Sequence, residues 1–220
     1  MFPGASLIHA LQCLAGIDQP HTQTTELERA ALAKWARGRS RAAEIGVYEG
    51  LTTRVIAEVL ADDGELFAID PFLAGRLGIC WSKLIARRHL RASRCGSRVR
   101  WVEHLSHEAV HQFDGKLDFL FIDGDHSLQG IQRDWRDWSC RIAQDGIVAL
   151  HDTRAPPHNP RVGDLGSCGY FASHIRHDPR FELLEQVDSL SVVRRGATGR
   201  SAQSDVRTGQ ERPMNPKAGA

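Results

Sequence analysis

The feature that most constrains this sequence is a regular alternation of short apolar runs with amphipathic helical segments. Five apolar runs are predicted strands: residues 42–46, 65–69, 98–102, 117–122 and 146–150. Between them, apolar residues recur at spacings of three and four, as in helices packed through one face. Strands that are separated by helices need right-handed crossovers, which produce a parallel sheet with helices on both faces.

Helices are predicted between these strands and before the first one. The predicted helices cover residues 51–60, 81–93, 107–113 and 128–142, and a capping box at Thr25-Glu26-Leu27-Glu28 opens another through about residue 37. Turn signals such as Asp63-Gly64, Asp114-Gly115 and Asp145-Gly146 stand where strands are expected to begin.

The pattern changes after Leu150. A loop rich in proline and glycine, residues 152–167, leads to a short predicted helix at 170–177. Two strand-like runs follow closely, at 181–187 and 189–194, which indicates a hairpin. The predicted fold is therefore α/β, Rossmann-like and doubly wound, with a mostly parallel seven-stranded sheet and a C-terminal antiparallel hairpin.

Length and composition limit the organisation and the partners. A chain of 220 residues suits one domain, predicted at residues 24–195. Residues 1–23 are an N-terminal segment that we expect to close over the site as a lid, and residues 196–220 contain little that is apolar and are predicted to be disordered. A net charge of +1 favours neither nucleic acid nor membrane. Five scattered cysteines without a C-x-x-C pair, and no secretion signal, predict a cytoplasmic protein.

A glycine-containing turn follows the first strand. Ligands of open parallel sheets lie beyond the carboxyl ends of the strands, where glycines allow close approach. A G-x-G-x-x-G fingerprint starting at Gly46 would need glycines where Tyr48 and Leu51 stand, which disfavours a dinucleotide. Turn glycines without any ligand remain an alternative.

Two acids at strand ends indicate the kind of ligand. Glu44 precedes the glycines, which suits a cationic ligand. Asp70 ends the second strand, 20 residues after Gly50, where a carboxylate can accept hydrogen bonds from ribose hydroxyls. The implied ligand is a nucleoside with a positive centre.

The stretch AEIGVYEGLTT, followed by LFAIDPF, resembles the S-adenosylmethionine-binding motifs of class I methyltransferases. The similarity covers about residues 24–195 and is nearest to small metal-assisted O-methyltransferases of the catechol and macrocin/mycinamicin types. The resemblance implies that Glu44 lies near the amino group of the cofactor, that Gly46 and Gly50 pass under its methionine and ribose, and that Asp70 binds the ribose. It also places Ser106 at the adenine edge, although Ser106 is equally suited to be a helix N-cap, and it places Asp123 near the sulfonium.

Acidic and histidine side chains follow the fourth and fifth strands. Asp123, Asp125 and His126 follow the fourth, and His151 and Asp152 follow the fifth. Asp123, His151 and Asp152 are the predicted metal ligands, and the oxygens of the two carboxylates suit Mg²⁺, Ca²⁺ or Mn²⁺. The related families have an acid where His151 stands, so a softer ion, or no metal, remains an alternative.

His126 is the predicted general base, because an imidazole can accept a hydroxyl proton at neutral pH. Asp123 and His151 complete the predicted catalytic set, with His151 as a rival base. In the predicted mechanism the metal coordinates a substrate hydroxyl, which attacks the sulfonium methyl. Asp125 or His126 could instead cap the helix that begins near Ser127.

The predicted function is S-adenosylmethionine-dependent O-methylation of a small hydroxylated molecule in small-molecule biosynthesis. An NAD(P)-dependent oxidoreductase and a non-catalytic S-adenosylmethionine-binding relative are the alternatives. A catechol, a sugar hydroxyl and a polyketide-type hydroxyl are all alternatives for the methyl acceptor, and N-methylation is an alternative reaction. The loop 152–167, with Pro156, Pro157 and Arg161, is expected to contact the substrate.

Two further groups of side chains are predicted to have structural positions outside the functional site. Trp135 and Trp138 are expected to pack in the core or in a homodimer interface. Three histidines with helix-like spacings, His104, His107 and His111, are expected to lie at the surface because no acid completes a site with them.

Overall fold

A computed structural model describes residues 6–75 and 78–196. Its centre is one seven-stranded sheet in the order β3-β2-β1-β4-β5-β7-β6. Strands β1 to β5 pair in parallel, and β7 runs antiparallel to both β5 and β6. The predicted fold class is therefore confirmed. Residues 197–220 of the predicted disordered tail lie outside the described residues.

The elements follow the predicted order. The strands are β1 (Arg41–Ile45), β2 (Glu65–Ile69), β3 (Val99–Val102), β4 (Leu117–Ile122), β5 (Ile142–Leu150), β6 (Phe181–Val187) and β7 (Leu190–Arg195). The helices are α1 (Leu7–Ala15), α2 (Glu26–Ala36), α3 (Leu51–Val59), α4 (Trp81–Arg91), α5 (Ser106–Ala109), α6 (Leu128–Ser139) and α7 (Gly166–Ser173).

Several boundaries differ from the predicted ones. Strand β5 begins at Ile142, before its predicted start, and contains Asp145 with a φ of 59° next to an irregularity in its pairing with β4. The Asp145-Gly146 pair thus lies within β5 and does not precede it. The helix predicted at 107–113 divides into α5 and a 3₁₀ turn at Val110–Gln112. Helix α1 was not predicted at all.

The core lies in two layers, one on each face of the sheet. Side chains of α2, α3 and α4 pack on one face against Phe119 and Phe121, and those of α5, α6 and α7 pack on the other against Leu120 and Ile122. Successive residues of β4 therefore face opposite layers, which is the period of two expected of a strand.

The two tryptophans of α6 belong to the second core layer. Trp135 is 5% exposed and Trp138 is fully buried, which confirms the core alternative for both. None of the helices in the described ranges has the length and apolar character that crossing a bilayer requires.

The sheet register brings four strand ends to one edge. Ile45 of β1 lies opposite Ile69 of β2 and Ile122 of β4, and Ile122 lies opposite Leu150 of β5. The residues that follow these strands are therefore neighbours: Gly46, Asp70, Asp123 and His151.

The close approach of β1 and β4 at this edge gives a first prediction. Gly46 has a φ of +88°, and a Cβ added there would overlap the carbonyl group of Asp123. Left-handed strain alone costs on the order of 1–3 kcal/mol, so Gly46→Ala should lower the free energy of unfolding by at least about 2 kcal/mol. Denaturant unfolding measures this change.

Gly169→Ala in α7 is the matched control, because nothing lies within 4 Å of its added Cβ. It should leave the stability unchanged or raise it by up to about 1 kcal/mol. Equal stabilities of the two variants would contradict this account of the turn.

Candidate active site

The turn after β1 has the backbone geometry of a close-approach loop. Gly46, Tyr48 and Gly50 all have positive φ, of 88°, 53° and 80°. Gly50 is also the N-cap of α3, and an added Cβ there would come within 3.0 Å of Ala86 Cβ. The two glycines therefore let the backbone of the turn pack closely at the carboxyl edge of the sheet.

Asp70 holds this turn in place. Its Oδ2 accepts hydrogen bonds from the backbone amides of Val47 (2.9 Å) and Tyr48 (3.2 Å), and its Oδ1 accepts one from Phe72 N (2.8 Å). The carboxylate thus joins the end of β2 to the turn after β1. Its predicted contact with a ribose stays a prediction.

Glu44 is a buried carboxyl group whose charge has little compensation. The side chain is fully buried, and its Oε1 accepts a hydrogen bond from Thr52 Oγ1 at 2.6 Å. No described residue hydrogen-bonds its Oε2. Burial raises the pKa of Glu44 to about 8, although the Thr52 hydroxyl opposes the shift. The group is therefore neutral near pH 7 unless a cation joins it.

Ser106 does not have the capping role that was considered for it. Leu105 is the N-cap of α5, and the hydroxyl of Ser106 donates a hydrogen bond to Asp134 Oδ1. Burial raises the pKa of Asp134 to about 6, and the hydrogen bond from Ser106 opposes that shift. The N-cap prediction is wrong because the hydroxyl is used across the interface with α6. The adenine contact remains a prediction.

The predicted metal ligands meet around His151. Its Nδ1 lies 2.9 Å from Asp123 Oδ1 and 3.6 Å from Asp152 Oδ1. The side chain of His151 is 3% exposed, and the geometry at Nδ1 does not make a hydrogen bond with any described residue. A buried nitrogen so close to two carboxylates calls for a positive charge between them, which either a proton on His151 or a coordinated cation would supply.

The electrostatics of His151 follow from its neighbours. Burial alone would lower its pKa, but the charges and contacts of Asp123, Glu28 and Asp152 raise it well above the usual value. Without a metal ion, His151 is therefore an imidazolium surrounded by three acids. Asp152, in turn, adopts a left-handed φ of 53°, a strained conformation of the kind that gathers at functional sites.

The three predicted ligands are close in pairs but do not form a compact set. Among the described residues, the groups whose ligand atoms all lie within 4.8 Å of one another are His9/Cys13/Asp18 and His9/His21/Glu49. Asp123, His151 and Asp152 are not such a group. Their side chains would have to draw together around an ion.

His126 lies over the same acids. Its Nε2 is 3.7 Å from Asp123 Oδ1 and 3.7 Å from Asp152 Oδ2. Helix α6 is capped by Ser127, whose hydroxyl accepts a hydrogen bond from Gly130 N, so the alternative of His126 as the cap is wrong. Asp125 accepts a hydrogen bond from Ser127 N at 2.9 Å and shapes the turn before the cap.

Glu28 is a site residue that the sequence did not reveal. It forms the predicted capping box of α2 through Thr25, but its Oε1 also accepts hydrogen bonds from Ser189 N and Oγ. Its Oε2 lies 3.4 Å from His151 Nε2. Burial works to raise the pKa of Glu28, but His151 and the other donors hold it at about 2. The capping motif explained this acid fully, so no sequence signal pointed to its contact with His151.

A cavity of about 280 Å³ opens beside these groups. Its lining includes Gln23, Thr25, Glu28, His151, Asp152, Pro156, His158, Asn159, Val162 and Ser189. The loop after β5 therefore borders the cavity, as its predicted role in substrate contact requires. Arg161 is not among the lining residues.

The buried carboxyl group of Glu44 gives a prediction about pH. Its folded-state pKa of about 8 lies above its ordinary value of 4.5, so the folded state holds an extra proton between these values and stability falls as the pH rises through them. We expect Glu44→Gln to remove this dependence. Denaturant unfolding of both proteins from about pH 5 to 8 measures the slope of stability against pH. The two slopes should differ by the equivalent of one bound proton. Identical slopes for the two proteins would refute the buried neutral acid.

Known proteins resemble this chain in fold and in family. Residues 43–153 match the family described as a methyltransferase domain. Nothing among the curated proteins matches the chain. Similar solved structures include three O-methyltransferases with 17–20% identity, a level at which the likeness shows a shared fold.

A protein assigned as an O-methyltransferase in Klebsiella pneumoniae has a TM-score of 0.64 and 18% identity, over 90% of this chain and 93% of that one. TomG from Streptomyces achromogenes, an O-methyltransferase of tomaymycin synthesis solved with SAM, has a TM-score of 0.61 and 17% identity, over 86% and 88%. An O-methyltransferase from Bacillus cereus solved with SAH has a TM-score of 0.60 and 20% identity, over 89% and 93%.

The family match covers half of the chain and includes the glycine turn, Asp70, Asp123 and Asp152. It sets aside the alternative of a nicotinamide-dependent oxidoreductase. The chain belongs to the methyltransferase domain family, and its fold is that of the class I S-adenosylmethionine-dependent methyltransferases.

Proposed function

We propose that this methyltransferase transfers the methyl group of S-adenosylmethionine to a hydroxyl oxygen of a small molecule, with the assistance of a divalent metal ion. The observation that carries the proposal is the position of His126 over Asp123 and Asp152, at the strand edge that also holds the glycine turn. The O-methyltransferases of similar fold, two of them solved with SAM or SAH, support the choice of donor and reaction.

The residues at the end of β1 fit this cofactor. The buried Oε2 of Glu44 has no donor among the described residues, and the amino group of a methionine moiety is a donor of the right charge. Glu44 would bind that group, and its carboxyl group would then ionise. Gly46 and Gly50 let the turn pack closely on Asp123 and Ala86, and its backbone would pass under the methionine and ribose of the bound cofactor.

Asp70 and Ser106 complete the proposed cofactor contacts. Asp70 would accept hydrogen bonds from the ribose hydroxyls while it continues to hold the turn through backbone amides. Ser106 would border the adenine while its hydroxyl stays on Asp134. When bound, S-adenosylmethionine supplies an electrophilic methyl group on a positively charged sulfur.

The metal proposal rests on the acids around His151. Asp123, His151 and Asp152 would hold the ion, with Mg²⁺ or Mn²⁺ favoured by the two carboxylates. Glu28 contacts the far nitrogen of His151, the position in which a carboxylate usually orients a ligating histidine. A divalent ion held there would supply Lewis acidity, which would make an acceptor hydroxyl more acidic near neutral pH.

His126 is the residue that would accept this proton. His151 is the poorer base, because its three acidic neighbours keep it protonated when no metal is bound. His126 lies 3.7 Å from each of two carboxylates, which would stabilise the imidazolium that forms on proton transfer. The cavity beside Asp152 is the proposed acceptor site, and its polar lining suits a hydroxylated molecule.

Asp123→Asn tests the metal-assisted reaction. The substitution keeps the size of the side chain but removes the charge that faces His151 and His126. We expect turnover with an accepted hydroxyl substrate to fall by at least about 10²-fold, while calorimetry shows nearly unchanged affinity for S-adenosylhomocysteine. Asp125→Asn is the matched control, since the exposed Asp125 only shapes the turn, and it should stay active. Full activity of Asp123→Asn, with or without a chelator, would sink the metal proposal.

Single substitutions of His126 and His151 distinguish the proposed general base from the proposed metal ligand. If His126 is the base, His126→Gln should lower kcat by roughly 10²–10⁴-fold and leave metal affinity nearly unchanged. His151→Gln should weaken metal binding as well as turnover. A kinetic titration with Mg²⁺ or Mn²⁺ measures both. Normal turnover by His126→Gln at saturating metal would show that His126 is not the general base.

A further inference from the structure

A second group of ionisable side chains lies on the other side of the glycine turn. Helix α1 packs on α4 through Ala10 and Cys13, which contact Ile85 and Trp81. This packing brings the N-terminal segment to one residue of the turn: His9 and the backbone amide of His21 contact Glu49. Asp18 and the ring of His21 contact His9. None of these residues belongs to the proposed catalytic site.

Glu49 is the centre of this group. It lies between Gly46 and Gly50, and its side chain is fully buried. Its Oε2 accepts a hydrogen bond from His21 N at 2.5 Å and lies 2.9 Å from His9 Nε2. Its Oε1 is buried and has no hydrogen-bond partner among the described residues. A buried carboxylate oxygen without a partner is costly, and a donor or a cation beside it would offset that cost.

His9 lies between two carboxylates. Its Nδ1 is 2.9 Å from Asp18 Oδ2 and its Nε2 is 2.9 Å from Glu49 Oε2. A neutral imidazole has a single N–H and can donate to only one of them. Either a second proton or a metal ion must therefore lie between His9 and one acid. Histidine ligands usually donate their other N–H to a carboxylate, and Asp18 has that position here.

His21 supplies a third ligand. Its ring stacks on that of His9, with centroids 3.7 Å apart and planes inclined by 10°. The ligand atoms of His9, His21 and Glu49 all lie within 4.8 Å of one another. Stacked rings cannot both point their nitrogens at one ion, so His21 must turn. Its side chain is exposed, and the rotation moves it through solvent.

Cys13 is the weaker candidate for a ligand. Its Sγ lies 3.5 Å from His9 Nε2 and 3.7 Å from Nδ1, so it is aligned with neither nitrogen. Two imidazole nitrogens and one carboxylate form a ligand set that suits Zn²⁺, with a fourth position open to water. The harder Mg²⁺ is a poor match for two imidazoles.

We propose that His9, His21 and Glu49 form a binding site for a divalent transition-metal ion of the Zn²⁺ type, with Asp18 orienting His9. The bound ion joins residues of the N-terminal segment to the turn that the proposed cofactor lies on. Its charge also provides the partner that the buried oxygen of Glu49 lacks. The site is separate from Asp123, His151 and Asp152, and it does not depend on the proposed methyl transfer.

Calorimetric titration of the chelator-treated full chain with Zn²⁺ tests the proposal. The titration is made in a variant with Asp123→Asn and Asp152→Asn, so that the proposed catalytic ion does not contribute. We expect one equivalent of Zn²⁺ to bind, and His21→Gln to abolish this binding. Asp18→Asn should weaken it by roughly 10–100-fold. His111→Gln is the matched control, because His111 is an exposed histidine elsewhere, and it should bind like its parent.

A second measurement covers the case in which the double variant folds poorly. Zn²⁺ should raise the Tm of the otherwise unchanged chain and of His111→Gln, and the rise should be smaller in His21→Gln. Equal Zn²⁺ affinity and equal Tm shifts in His21→Gln and His111→Gln would overturn the site. Absence of Zn²⁺ binding from all the proteins would overturn it too, and would leave a protonated His9 as the link to Glu49.

Discussion

Everything at the proposed active site depends on the parallel pairing of β2, β1, β4 and β5, because these strands end in matching register. The ladder continues one residue beyond the strands: Gly46 N donates to Ile69 O, Asp123 N to Ile45 O and His151 N to Ile122 O, at 2.8–3.0 Å. These bonds fix where the first residue after each strand emerges. A slip of one residue in any pair would turn the side chains to the opposite face and would separate Asp123 from His151.

Two buried glutamates lie near this edge of the sheet, and the protonation state of each depends on the groups that contact it. Glu44 and Glu28 are both glutamates with almost no exposed surface. Glu44 has a hydroxyl group for a partner, and burial raises its pKa to about 8. Glu28 is equally subject to burial, but His151 and the donors of Ser189 hold its pKa at about 2. Glu44 thus lacks a cationic partner, which a bound ligand could supply. Glu28 already contacts the cationic His151 and holds it in position.

The sequence predicted the sheet well because its signals are local. Alternating periodicities gave the parallel strands, and the close spacing of the last two runs gave the hairpin. It also predicted that Asp123, His126, His151 and Asp152 would converge, since strand ends in one parallel sheet share an edge. Contacts between distant elements had no comparable signal. An N-cap was kept as an alternative for Ser106, because its bond to Asp134 on α6 depends on how two helices pack and left no local signal. The contact between Glu28 and His151 was missed for the same reason.

Helix α1 shows why its attachment could not be predicted from its apolar pattern. It buries His9, Ala10 and Cys13, while Leu7, Ile8 and Leu11 are 47%, 70% and 54% exposed. This is the reverse of the usual arrangement, in which a helix is held by its large apolar side chains.

Ala10 and Cys13 are small side chains that pack against α4, and the polar contacts of His9 with Asp18 and Glu49 add to the attachment. Those contacts require a positive charge at His9, because both partners are acids and a neutral imidazole can donate to one alone. A proton or a metal ion that supplies that charge therefore strengthens the attachment of the N-terminal segment to the glycine turn, which the backbone amide of His21 also contacts through Glu49. Its position over the turn thus depends on the charge of His9 together with the amide of His21 and the packing of α1 on α4.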